Sequence, residues 1–194
     1  MAKKDNLAIE GAKLKIRDTY IKVLGLFFSF PDKTFQLNEV AKKAKVSKIN
    51  ANKIVNKLIL DEFLFKKTAG KSWLLKCNKS HKYNQTRKIV YNLGLIYESG
   101  ILEEIKSKFG AYKAVVLFGS YRKGDDIETS DLDIAVQSFD KKDYDIVEFC
   151  RIKNFGYREN VQVSLHIFSK NKIASNLFES IRNGIVLEGF LEDE

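Results

Sequence analysis

The 194-residue chain is 44% hydrophobic and 30% charged, a globular balance with room for one ordinary domain or two small ones. Its longest apolar run, around Val23 to Phe30, falls far short of the roughly 20 residues that span a bilayer, and no secretory leader pattern opens the chain. Two cysteines, Cys77 and Cys150, are too few for a disulfide framework or a zinc site and fit reduced thiols in a cytoplasmic protein with no membrane partner.

The net charge of +9 is unevenly divided: residues 1–90 carry 21 Lys+Arg against 7 Asp+Glu, the remainder 13 against 18. A half at +14 joined to a half at −5 predicts two modules with different partners, although abundant lysine also serves solubility or heat stability.

In chain order, Lys13 to Phe30 reads as a helix, with Leu14, Ile16, Ile21, Leu24 and Phe28 at helical spacing, and Pro31-Asp32 ends it. Phe35 to Ala44 follows as a short helix with Leu37, Val40 and Ala41 on its apolar face. Ser47 is placed to cap a third helix, Lys48 to Asp61, whose expected buried positions are Ile49, Ile54, Leu58 and Ile59. Phe63–Lys66, Thr68–Ser72 and Trp73–Leu75 read as strand, turn and strand.

Three helices and a basic hairpin in that order look like a winged helix-turn-helix occupying residues 1–78. Its third helix would expose Lys48, Asn50, Asn52, Lys53, Asn56 and Lys57, and its wing Lys66, Lys67 and Lys71. These are donors for phosphates and base edges, so DNA is the expected partner, with protein docking as the alternative use of such a module. Residues 79–109 read as a helical connector, broken near Gly94 and Ser99-Gly100, with an apolar stripe of Ile89, Val90, Leu93, Ile96 and Tyr97. Tyr83, Tyr91 and Tyr97 are expected to fill an interface, across a homodimer or between the modules. No flexible linker appears, so the modules should be rigidly joined.

The chemistry falls in residues 110–194. Ala114–Phe118 is a buried apolar strand that stops at Gly119-Ser120, and Ser130 leads into a second strand, Asp131–Val136. Glycine lets a phosphate approach the backbone, a following helix start offers free amides, and Ser120 adds a hydroxyl. Asp131 and Asp133, two apart on a strand, share a face about 6.6 Å apart at their Cα atoms. Paired carboxylates suit Mg2+, which keeps one or two protein carboxylates plus substrate phosphates in its shell.

Gly119-Ser120-x-x-x-Gly124 followed by Ser130-Asp131-Leu132-Asp133 resembles the DNA polymerase β-like nucleotidyltransferase superfamily, especially its minimal members. The resemblance implies an α+β chain whose C-terminal α/β domain has a mixed sheet, and transfer of a nucleoside monophosphate from an NTP, with Mg2+, to an acceptor hydroxyl. It implies that Gly119, Ser120, Lys123, Gly124 and Ser130 hold triphosphate, and that Asp131 and Asp133 ligate metal and act in catalysis. The Asn-Gly-Ile-Val-Leu ending is similar to archaeal proteins that fuse a winged helix to such a domain.

Catalytic members of that superfamily use a third carboxylate from a later strand. The candidate strand, Val161–Phe168, places Gln162, Ser164 and His166 on one face, none of them acidic, with Ser164 the nearest equivalent and Gln162 second. Glu159 is expected in the loop before it. Asp143–Phe155 reads as a helix with Ile146, Val147, Phe149 and Cys150 toward the core; Lys170–Asn183 is another, closed by Gly184; Ile185–Leu187 is a last strand. Three functions stay open: the transferase, a DNA-binding regulator with a nucleotide-sensing degenerate site, and an antitoxin-like partner of a small helical toxin.

Overall fold

The computed structural model describes residues 8–12 (as backbone), 18–70, 72–139, 143–169 and 172–191. The expected helical start at Lys13–Arg17, with Leu14 and Ile16, lies outside the described residues, as do Lys71 and the first two residues of the Lys170–Asn183 helix.

The N-terminal half holds α1 (Thr19–Ser29), β2 (Thr34–Gln36), α2 (Leu37–Ala44), α3 (Lys48–Leu60), β3 (Leu64–Ala69) and β4 (Ser72–Cys77). Asp18 caps α1 by accepting from Tyr20 N at 2.7 Å, and Ser47 Oγ caps α3 by accepting from Asn50 N at 3.2 Å. Phe35 is in strand rather than helix, because Thr34–Gln36 pair antiparallel with β4 and complete a three-stranded sheet in the order β2-β4-β3. Helix α2 starts where Gln36 N donates to Glu39 Oε2 at 2.7 Å. On α3 the buried face is Ala51, Ile54, Val55 and Leu58. Ile49, expected inside, is 82% exposed, because it sits one residue away from the α3 seam and next to the polar face.

Helices α4 (Lys82–Gln85), α5 (Arg87–Glu98) and α6 (Ile101–Phe109) follow. The breaks fall at Thr86 and Ser99-Gly100; α5 runs through Gly94 without interruption. Its buried face is Lys88, Tyr91, Asn92, Leu95 and Ile96, so Val90, expected within the apolar stripe, stands exposed.

A six-stranded mixed sheet, order β1-β7-β8-β6-β5-β9, forms the other half. It comprises β5 (Ala114–Leu117), β6 (Leu132–Gln137), β7 (Asp145–Phe155), β8 (Arg158–Phe168) and β9 (Ile185–Gly189), with β1 (Ala8–Ala12) contributed from the start of the chain. Strand β1 runs parallel to β7, with Ala8 beside Arg151 and Ala12 beside Phe155. Short helix α7 (Gly119–Lys123) follows β5, and α8 (Ser175–Arg182) precedes β9. Gly184 follows the α8 C-cap, where a Cβ would lie 2.5 Å from Val116 Cγ1.

The helix expected over Asp143–Phe155 is strand β7, and the reason is local. A β-bulge interrupts its pairing with β8 between Glu148 and Cys150, so Phe149 and Cys150 are buried consecutively. That doubling breaks strict alternation and imitates helical spacing. Ile146, expected on the core side, is 54% exposed.

One apolar cluster runs continuously from α1 and α3 through α5 and α6 to the sheet face of Leu117, Ile134 and Leu165. A smaller one, Ala114, Val116, Phe118, Ala135, Phe168 and Ile181, lies on the opposite face beneath α8. The halves meet at Tyr91: its ring lies 2.8 Å from where a Cβ on Gly25 of α1 would sit, and its hydroxyl crowds Gly156 in the β7–β8 turn. Tyr157 Oη also donates to Lys22 O of α1 at 3.1 Å. These contacts join the two halves directly. Among the described residues no helix is long and apolar enough to cross a membrane.

Candidate active site

The site forms where β5 ends beside the start of the antiparallel β6. Phe118 N donates to Asp133 O at 3.3 Å, which fixes the chain just before Gly119. Gly119 then adopts φ +70°, and an added Cβ would stand 2.5 Å from Asp133 Oδ2. Only a residue without a side chain lets the carboxylate lie over this backbone. Ser120 follows in the first turn of α7, with its carbonyl accepting from Gly124 N at 2.8 Å and Asp125 N at 3.2 Å.

Asp131 immediately precedes β6 and Asp133 lies within it. Burial, and then the charge of Asp133, hold the Asp131 carboxyl above the usual carboxylate range; the Arg151 guanidinium opposes this and Glu148 adds to it. Asp133 Oδ1 is 3.5 Å from His166 Nε2, while His166 Nδ1 and Tyr144 Oη share a 2.8 Å hydrogen bond. The His166 ring stands edge-on to Phe118 at 4.7 Å between centroids. His166 is thus tied to Asp133.

The expected residues divide. Gly119, Ser120, Asp131 and Asp133 come together. Gly124, at φ +78°, caps α7 and abuts the Asn84 backbone, so this glycine serves helix packing. Ser130 Oγ accepts from Ile127 N at 2.9 Å and its carbonyl accepts from Tyr121 Oη at 3.3 Å, which braces the loop that delivers Asp131. Lys123 is exposed at the end of α7. Gln162 and Ser164 do face the site, Ser164 paired with Asp133 in the strand register. Gln162 Nε2 donates to Cys150 O at 3.1 Å. Glu159 is in strand β8 rather than a loop, paired with Asn154 and lining a cavity of about 340 Å³ with Lys22, Lys43 and Lys45.

Sequence reasoning did not single out the buried polar cluster behind this loop. Asp126 is fully buried and accepts from Asn92 Nδ2 at 2.8 Å and from Arg158 Nη2 at 2.8 Å, with Lys88 Nζ 3.3 Å away. Arg158 Nη1 donates to Ile127 O at 2.7 Å. Burial pulls the Lys88 amine below its ordinary range, and the Asp126 carboxylate opposes that. The four side chains come from α5, the α7–β6 loop and β8, and they clamp the loop at Asp126 and Ile127.

The basic residues of the N-terminal half lie on another surface. Lys48, Asn50, Asn52, Lys53, Asn56 and Lys57 are all exposed on α3, and Lys66 and Lys67 on β3. Two are partly engaged: Lys57 Nζ lies 5.2 Å from the Tyr20 ring centre, and Lys66 Nζ lies 3.4 Å over Trp73. A groove of about 550 Å³ runs between the starts of α2 and α3 and the hairpin, lined by Asn38, Lys48, Ile49, Asn52, Ser72 and Trp73 among others.

Residues 98–183 match the family model described as a nucleotidyltransferase domain. A protein of Methanocaldococcus jannaschii, provisionally named a protein adenylyltransferase, is 33% identical over 72 residues, which are 37% of this chain and 78% of that relative. No solved structure matches the chain. The chain belongs to the nucleotidyltransferase domain family.

Nucleotidyltransferases generally use divalent metal ions. The oxygen-only pair Asp131 and Asp133, beside a glycine whose bare backbone leaves room for phosphate, fits a hard cation shared with a triphosphate. Among the described residues no group of three His, Cys, Asp or Glu side chains forms a ready-made cage. Mg2+ does not ask for one, since it takes one or two carboxylates and completes its shell from phosphate and water.

Proposed function

We propose that this protein is a Mg2+-dependent nucleotidyltransferase that moves a nucleoside monophosphate from an NTP to an acceptor hydroxyl, and that it carries a DNA-binding winged helix. The observation that carries the transferase reading is the Asp133 carboxylate lying over the bare Gly119 backbone, with Asp131 on the same strand edge. In this reading Gly119 and Ser120 hold triphosphate, Asp131 and Asp133 bind the metal, and Lys123 screens phosphate charge from the α7 end. The bound ion would neutralise charge that builds on the leaving pyrophosphate. The relative's name favours ATP as donor and a protein hydroxyl as acceptor. Label transfer from α-labelled ATP to proteins of a cell extract, with Mg2+, tests it. Transfer that persists in Asp131→Ala and Asp133→Ala would refute the assignment.

The second half of the reading takes residues 1–78 as the winged helix, apart from β1, which pairs into the sheet of the other half, 79–109 as the connector and 110–194 as the transferase domain, in the cytoplasm. The exposed donors of α3 and the groove between α2, α3 and the hairpin support DNA as the partner. If about six phosphates are contacted, affinity falls roughly 10³-fold between 50 and 200 mM salt. Salt-insensitive binding to duplex DNA would remove this half.

Ser164 in the register position beside Asp133 supports a second reading, a DNA-binding regulator whose transferase site senses nucleotide without turnover. Binding of a non-hydrolysable NTP that alters DNA affinity, with no label transfer, would select it. Val90 and Tyr97, exposed on α5, support a further protein partner, a second copy or a small helical toxin-like protein; a dimer mass in sedimentation of the purified chain would select the second copy.

A further inference from the structure

The strand register brings two charged side chains to the site from β7, one strand beyond the place where a third carboxylate was sought. Ser164 pairs with Asp133 on one side and with Glu148 on the other, so Asp133, Ser164 and Glu148 form one row across the sheet. Gln162 pairs with Arg151 one row along, on the Asp131 side. In a regular strand Glu148 and Arg151, three residues apart, would face opposite sides. The bulge between Glu148 and Cys150 inserts one extra residue and returns both to the face that carries the aspartates. Its cost is a consecutive buried pair, Phe149 and Cys150, which the core beneath accommodates.

On the transferase reading above, we propose that Glu148 is the proton acceptor of the transfer step, a carboxylate supplied from β7 across the gap that Ser164 leaves. Neighbouring strands lie about 4.8 Å apart, so the Glu148 backbone stands about 9.6 Å from that of Asp133. That separation is wide enough to seat an acceptor hydroxyl above the small Ser164 side chain, between the two carboxylates. The acceptor O–H gives its proton to the Glu148 carboxylate while its oxygen forms the bond to the α-phosphorus. The bond from that phosphorus to the bridging oxygen breaks, and pyrophosphate leaves with the electron pair.

The test compares wild type, Glu148→Gln, Asp133→Ala and Ser164→Asp. Two quantities are read: label transfer from α-labelled ATP to extract proteins, and Mn2+ affinity in the presence of α,β-methylene-ATP by electron paramagnetic resonance. The expected result is a kcat for Glu148→Gln lower by about 100-fold or more, with KM for ATP and Mn2+ affinity within twofold of wild type, while Asp133→Ala loses the ion. Transfer by Glu148→Gln at near the wild-type rate overturns the proposal and leaves the transferase reading standing. Loss of Mn2+ by Glu148→Gln to the extent seen in Asp133→Ala overturns it as well, by making Glu148 a ligand. A silent wild type that gains transfer in Ser164→Asp shows that Glu148 supplies no proton acceptor. Silence in both wild type and Ser164→Asp, despite bound Mn2+ and analogue, refutes the transferase reading and this proposal with it.

Discussion

Gly119→Ala is the substitution that presses most directly on the aspartate pair. The new Cβ would sit 2.5 Å from Asp133 Oδ2 and 3.3 Å from its Cβ and Cγ, at a backbone φ of +70°. The left-handed backbone alone costs an L-residue about 1–2 kcal/mol. The carboxylate must also move by close to an ångström, which disturbs its 3.5 Å contact with the His166 nitrogen. Together these predict a loss of about 1–3 kcal/mol of stability, a melting-point drop of roughly 2–10 °C for a chain of this size. Mn2+ affinity in the presence of α,β-methylene-ATP should fall at least about tenfold, because the displaced oxygen is one of the proposed ligands. Calorimetry on Gly119→Ala, Asp133→Ala and the double variant separates the steric part from the backbone part. Truncating Asp133 removes the 2.5 Å clash, so the double variant should be destabilised by less than the two singles combined, with a coupling of about 0.5–2 kcal/mol. Strict additivity, or unchanged Mn2+ affinity in Gly119→Ala, would refute the reasoning.

Three further expectations concern groups around the site. Lys88→Met leaves Asp126 buried with one cation fewer and should cost about 3–5 kcal/mol by thermal unfolding; a loss below 1 kcal/mol would mean the cluster is not a clamp. Because folding raises the Asp131 pKa, its ionised form opposes folding above that pKa, so Asp131→Asn should melt higher than wild type at pH 7. The gain should vanish as pH falls below the unfolded value of about 3.9, and an Asn variant that melts lower at pH 7 would contradict the cause given. Burial pushes the Cys77 and Cys150 thiols up to about 12, so neither should react with a thiol reagent in the native protein at pH 8, and both should react on unfolding.

What the sequence disclosed was local. Gly119 and the Asp131/Asp133 pair adjoin apolar runs that end in strands, and neighbours in sequence became neighbours in space. The N-terminal helices were readable because Ser47 and Pro31 mark two of their ends and the buried faces of α2 and α3 repeat at helical spacing, while α1 is buried all round from Val23 to Ser29. Thr34–Gln36 was misread because its partner, β4, lies some 40 residues away. The β7 strand was misread because its bulge hides the alternation that identifies a strand. The Lys88–Asn92–Asp126–Arg158 cluster was invisible for a different reason: its members come from three segments, and each taken singly reads as a surface residue.

The pairing of β1 with β7 makes dissection of this molecule hazardous. Cutting the chain after residue 78 to isolate the C-terminal half would strip β1 from β7 and bare a row of backbone amides and carbonyls along Arg151–Phe155. The bared segment lengthens the open edge of β7, and such edges recruit strands from other molecules, so the fragment should self-associate more than the intact chain. Adding residues 8–12 back, as a peptide or by circular permutation, should restore solubility.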